Sequence, residues 1–262
     1  MGGGGFTMGE RSPVLDQYVL ELTGRRVPKI CFLPTASGDE REQVRRFNER
    51  FRDWPCEPTT LSLFHLRQER IDPAGHLLAQ DAIYIGGGSM RNMLAIWREH
   101  GVDEVLRAAW QVGVVLAGLS AGAMCWFEGG ISLSGGRAEP VRGLGLVPGS
   151  LSVHRDSEPE RLPAYRAAVA AGVLPDGHAA DDGAALVYAG SQLLECVSSR
   201  ERAVISRVNR ANGGVLETPM PIRCLGPAGE QTSAGHETMA DRIAVAELRE
   251  LRDLRAGRNR WR

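Results

Sequence analysis

Long apolar runs are missing from this 262-residue sequence. None approaches the ~18 consecutive apolar residues that a membrane-spanning helix needs, so no membrane span is predicted. The opening MGGGGFTMGERS also lacks the basic-then-apolar layout of a secretory leader. Neither sign of charge is in excess, with 31 basic against 32 acidic residues and a net charge of −1. No overall field therefore draws the protein to nucleic acid or to an anionic membrane, and a small molecule or peptide is the expected partner. Cysteine is scarce and unpatterned: Cys31, Cys56, Cys125, Cys196 and Cys224 form an odd set without C-x-x-C spacing. That excludes a disulfide framework or a zinc site of the usual spacing and predicts reduced thiols in a cytoplasmic protein. No internal repeat is present.

What the sequence does contain is an alternation. Short apolar, β-branched runs closed by glycine, proline or small polar residues occur at 29–35 (KICFLPT), 59–64, 81–85 (DAIYI) and 113–117 (GVVLA). Such runs read as buried parallel strands. Between them, 13–22, 39–52, 90–99 and 102–111 carry the helical period. Strand–helix alternation predicts an α/β fold, a three-layer sandwich around a mostly parallel, doubly wound sheet. Beyond residue 180 the runs 184–188, 192–197 and 203–208 lie close together, as in a strand meander. From Glu217 on, prolines and glycines predict a linker, followed by an appended helix over 237–255. This divides the chain into a main α/β domain, 1–216, and an extension, 217–262. The glycine-rich start is unusual because such a turn normally follows a strand. It reads either as a chain lacking its first strand, the favoured alternative, or as an unstructured start.

Residues 118–122 spell G-L-S-A-G at the end of a predicted strand and before an apolar segment able to open a helix. A strand-to-helix elbow forces its serine into a cramped backbone, so the small neighbours Gly118, Ala121 and Gly122 give it room. Ser120 thereby projects above the carboxyl ends of the strands, where open α/β sheets carry their sites. A serine hydroxyl needs a base to become a nucleophile, and the base needs an orienting group. Of the six histidines, His154 is the best placed, at the end of an apolar stretch and before RDSEPER. His65, His76 and His100 read as structural, and His178 and His236 as weaker candidates. Ser157 and Glu160 form an S-x-x-E capping box, with Pro159 suited to a first helical turn. Asp181 and Asp182 place two carboxylates before a strand, and either could orient the histidine.

An attacked carbonyl becomes an oxyanion, which needs backbone donors. Ala121 at the start of the helix and Gly87 or Gly88 in the triplet after DAIYI could supply them. A phosphate-cradling role for these glycines is disfavoured, since neither a Walker lysine nor a G-x-G-x-x-G continuation follows.

Together, YIGGGS, GLSAGAMCWFEGG, GLGLVPGSLSVHRDSEPERLPAYR and DDGAALVY, in that order, resemble the dipeptidase E and cyanophycinase family of serine peptidases over roughly residues 5–210. The resemblance implies a class I glutamine amidotransferase-like fold, with Ser120 as nucleophile, His154 as base and Asp182 as the acid, Asp181 being the fallback. It implies removal of an N-terminal aspartate from small peptides through an acyl-enzyme, with no cofactor and no metal. The chain order Ser…His…Asp also sets it apart from the α/β-hydrolases. Three departures stand out: Ser89 where the family commonly has asparagine after the glycine triplet, Arg155 where an aromatic residue often follows the histidine, and Gly135 where some members carry an aspartate. The first two put aspartyl specificity in question. An aspartyl side chain needs a cation, for which Arg155, Arg161, Arg166 and Arg91 are available. Ser89, Arg155, Asp156 and Arg161 are the candidate substrate contacts, and a homodimer is compatible with the sequence. A catalytically silent binding protein of the same fold, or a hydrolase of a branched aspartyl polymer or an amide, are the alternative readings.

Overall fold

The four apolar runs of the first half pair edge to edge, as parallel strands do when helices cover both faces. The computed structural model describes residues 1–8 and 13–226. Its first half comprises α1 (Val14–Leu22), β1 (Lys29–Leu33), α2 (Arg41–Phe51), β2 (Glu57–Thr60), α3 (Leu66–Glu69), α4 (Pro73–Leu78), β3 (Ala82–Ile85), α5 (Met90–His100), α6 (Val102–Gln111) and β4 (Val115–Gly118). The strands form an all-parallel sheet in the order β2-β1-β3-β4. Side chains alternate across it. Ile30, Phe32 and Tyr84 join Phe6, Phe47 and Phe51 on one face, while Cys31, Leu33, Ile83 and Ile85 join Trp97 and Leu106 on the other. Strand β2 lies earlier than the sequence predicts, because Pro58 and Thr59 pair with Ile30 and Cys31, and Leu61 and Leu63 continue as buried loop.

The second half runs α7 (Ala121–Met124), β5 (Phe127–Ser132), β6 (Glu139–Arg142), β7 (Val147–Ser152), α8 (Arg161–Ala170), β8 (Gly177–Ala180), β9 (Ala184–Ala189), β10 (Gln192–Ser198), β11 (Ile205–Ala211), β12 (Gly214–Pro219) and β13 (Arg223–Cys224). The α/β character and the parallel strands are as expected. The expected single sheet is instead three hydrogen-bonded sheets: the parallel one, a six-stranded mixed sheet in the order β12-β11-β8-β7-β5-β6, and a small one in the order β13-β10-β9. The late meander separates because β9 turns back on β10 at Gly190, whose φ of 56° suits the tight turn. Strand structure continues past residue 216, since β12 pairs with β11 as far as Pro219 and β13 pairs with β10. The helix predicted over 237–255 and His236 lie outside the described residues.

The glycine-rich start is ordered. The Met1 amino group donates to Gly118 O at 2.9 Å and Gly2 N donates to Ala184 O at 2.8 Å, so this segment bridges β4 and β9. A Cβ on Gly2 would lie 2.2 Å from Asp181 O, which is why the bridge is built from glycine. A 3-10 turn over Gly5–Met8 then delivers Phe6 into the aromatic cluster. Among the described residues, no helix is long and apolar enough to cross a membrane.

Candidate active site

Strand β4 ends at Gly118 and α7 starts at Ala121, so the chain reverses over two residues. Ser120 adopts φ 53° and ψ −114°, a left-handed backbone that costs a non-glycine residue roughly 1–3 kcal/mol. The small neighbours make this possible. A Cβ on Gly118 would sit 2.0 Å from Gly122 O, and one on Gly122 would sit 2.5 Å from Ile85 O. The hydroxyl is thereby held at the carboxyl end of the parallel sheet.

His154 follows β7 and also has a positive φ, 57°. Its Nε2 lies 2.8 Å from Ser120 Oγ and its Nδ1 lies 2.6 Å from Asp182 Oδ1. With the ring proton on Nδ1, the serine hydroxyl donates to Nε2 and the ring donates to the carboxylate. The His154 and Asp182 side chains are only 12% and 10% exposed, so little water competes for these bonds.

Asp182, in the turn between β8 and β9, is itself fixed from several sides. Ser157 Oγ donates to its Oδ2 at 2.6 Å, and its backbone N–H donates to Asp156 Oδ1 at 2.9 Å. Arg200 Nη1 donates both to Asp156 Oδ2 and to Asp182 O. Burial alone would push the Asp182 carboxyl up. The hydrogen bonds from His154 and Ser157, with the charges of His154 and Arg200, outweigh it and hold the group below the usual carboxylate range. The adjacent Asp181 faces elsewhere, accepting from Arg155 Nη1 at 3.1 Å and from Val204 N at 2.9 Å.

The glycine triplet comes close to the serine. The Cβ position of Gly87 lies 3.4 Å from Ser120 Cβ. Gly88 has φ 139°, and a Cβ there would fall 2.2 Å from Ala36 O, so no other residue fits without displacing backbone. The amides of Gly87, Gly88 and Ala121 make no backbone bond among the described residues, whereas Ser89 N donates to Ala36 O.

The remaining sequence candidates are engaged with protein groups. Ser89 caps α5 by accepting from Asn92 N, and its hydroxyl reaches Ser134. Asp156 holds the Asp182 backbone. Arg161 is buried, donating to Ile131 O and to Glu158. Arg166 pairs with Glu217, and Arg91 with Glu139. Of the other histidines, His76 approaches Thr59, His65 approaches Gln68, and His178 sits within β8. The predicted S-x-x-E capping box does not form: α8 starts at Arg161 without a side-chain cap, because the Ser157 hydroxyl is taken by Asp182. Sequence reasoning thus missed Ser157 in the site, although its place three residues after His154 was a usable signal. Arg200 gave none.

Comparison with known proteins identifies the family. The chain matches Peptidase family S51 over residues 1–196. It belongs to that family. As an S51 peptidase it is a serine-type hydrolase. It is 46% identical over 226 residues to the uncharacterized peptidase YgaJ of Bacillus subtilis (strain 168), a match covering 86% of this chain and 97% of that one. The crystal structure of a peptidase from an acI-B1 Actinobacterium superposes with a TM-score of 0.65 at 17% identity, covering 85% of this chain and 92% of the other, which shows the shared fold.

Proposed function

We propose that this S51 peptidase is an exopeptidase that cleaves small peptides through an acyl-enzyme on Ser120. The observation that carries this reading is the unbroken hydrogen-bond chain Ser120–His154–Asp182 at an elbow where the serine backbone is strained. Ser120 Oγ attacks the scissile carbonyl carbon while its proton passes to His154 Nε2. Asp182 holds the imidazolium that results. The new oxyanion takes the Ala121 N–H and an amide of Gly87 or Gly88, each such donor being worth ~2.7–4 kcal/mol of barrier. The tetrahedral intermediate collapses as the C–N bond breaks and the leaving amine takes the proton from Nε2. Water, deprotonated by the same nitrogen, then attacks the acyl carbon, and the C–O bond to Ser120 breaks as Nε2 returns that proton to the serine oxygen, releasing the acid.

An aspartate as the first substrate residue is the specificity this reading favours, and Arg91 is the cation best disposed to meet it. Its side chain is 57% exposed, against 26% for Arg155 and 5% for Arg161. Its partner Glu139 also has Arg137, so Arg91 can move to a substrate carboxylate without leaving Glu139 alone. A panel of dipeptides varied at the first residue tests this: hydrolysis should be fastest with aspartate, and Arg91→Ala should flatten the preference. An equal response across the wild-type panel would refute it.

A further inference from the structure

The glycine triplet is held by α2 as well as by the elbow. Gln43, in the first turn of α2, lies across it: Nε2 donates to Gly87 O at 3.5 Å and to Glu40 Oε2 at 3.0 Å. Its Oε1 stands 3.0 Å from the position of a Cβ on Gly86. A carboxylate only accepts hydrogen bonds, so Glu40 fixes which end of the amide carries the donors. The cost falls on the other end, where Oε1 is buried without a donor. Packing alone would be served as well by methionine, with no orphaned acceptor.

The two peptide planes of the triplet face opposite ways. Gly86 O packs against the elbow, 2.8 Å from where a Cβ on Gly122 would stand. The peptide is trans, so Gly87 N–H points away from the elbow. Gly87 O is turned toward α2 by Gln43, so Gly88 N–H points the other way. That way lies Ser120: β3 is flanked in its sheet by β1, which leads into α2, and by β4, which leads into the elbow. One residue on, Ser89 N returns to the β1 side, at 2.7 Å from Ala36 O. Gly87 O accepts from no backbone N–H among the described residues, which leaves Gln43 to hold the plane between them.

We propose that Gln43 is a positioning residue of this peptidase: its amide holds the Gly87–Gly88 peptide so that Gly88 N–H, and not Gly87 N–H, is the second donor to the oxyanion. The proposal rests on acyl transfer at Ser120 and deepens it, assigning the donor and the side chain that aims it. Gln43 makes no bond to Ser120, His154 or Asp182. Its effect therefore falls on the step in which the oxyanion forms.

The test compares the full wild-type chain with Gln43→Met and Gln43→Glu, by the rate of fluorophosphonate labelling at Ser120, by kcat and KM on peptides, and by Tm. The phosphoryl oxygen of the probe takes the place of the oxyanion. Both variants lack the donor, so labelling and kcat should each fall at least ~10-fold, with KM within about twofold of wild type. Gln43→Met should keep or raise Tm, because the orphaned acceptor is gone. The proposal is overturned if either variant keeps the wild-type labelling rate, if KM rises while kcat holds, or if the rate falls only in a variant whose Tm falls too. A wild-type protein that is labelled but cleaves no peptide refutes the exopeptidase reading alone, and the labelling rates still decide on Gln43. One that is not labelled overturns both.

Discussion

The carboxyl end of β4 and its free edge are a few residues apart and differ in kind. At the end, Ser120, His154, Asp182, Ser157 and Arg200 form a closed network in which each polar group has a partner. Along the edge, backbone groups and the Trp126 indole face an apolar cavity. The network needs fixed geometry, because proton transfer demands hydrogen-bond distances. The elbow supplies it through backbone close packing rather than through β4's edge.

Breaking the network should have the largest effect. Ser120→Ala is expected to lower turnover at least ~1,000-fold while circular dichroism and Tm stay near wild type. Asp182→Asn should lose a comparable factor by favouring the wrong ring tautomer, with kcat falling more than KM changes. Next comes the elbow itself: Gly118→Val places carbon 2.0 Å from Gly122 O and should destabilise the fold by about 3 kcal/mol or more, read as a large drop in Tm. Gly214→Ala, where nothing lies within 4 Å of the added carbon, should change stability by less than ~0.5 kcal/mol.

Smaller effects separate positioning from structure. Ser157→Ala removes a donor from Asp182 and should cost roughly tenfold in kcat, an effect of ~1.4 kcal/mol. Because the folded carboxyl titrates below its ordinary value, its contribution to stability is present above that value and lost as pH falls through the lowered one. Ser157→Ala should therefore move the acid edge of the Tm–pH curve to higher pH. His178 works in another window. Burial lowers it from 6.5 to about 4, so stability is full above 6.5 and declines as pH falls toward 4. His178→Gln should flatten the curve there, removing on the order of 2 kcal/mol of pH dependence once partial exposure is allowed for.

Much of this was legible in the sequence for local reasons. A strand-end serine among residues without bulk, a strand-end histidine and a glycine triplet each announce their backbone geometry, and α6 falls on the predicted 102–111. The choice between Asp181 and Asp182 was not local. Adjacent residues project to opposite sides, and only the fold decides which side holds His154. Asp181 is buried, accepting from Arg155 and from Val204 N. Ser157 was hidden by a capping pattern that the tertiary contact overrides. β12 was hidden by its closing Pro219 and by Pro221 just beyond it, and an edge strand tolerates a proline because one side needs no ladder bonds.

The most direct test of the account is labelling with a serine-directed fluorophosphonate, followed by peptide mass analysis. The account predicts a single stoichiometric adduct on Ser120 that disappears in His154→Ala. An unlabelled protein, or an adduct on any other serine, would contradict it.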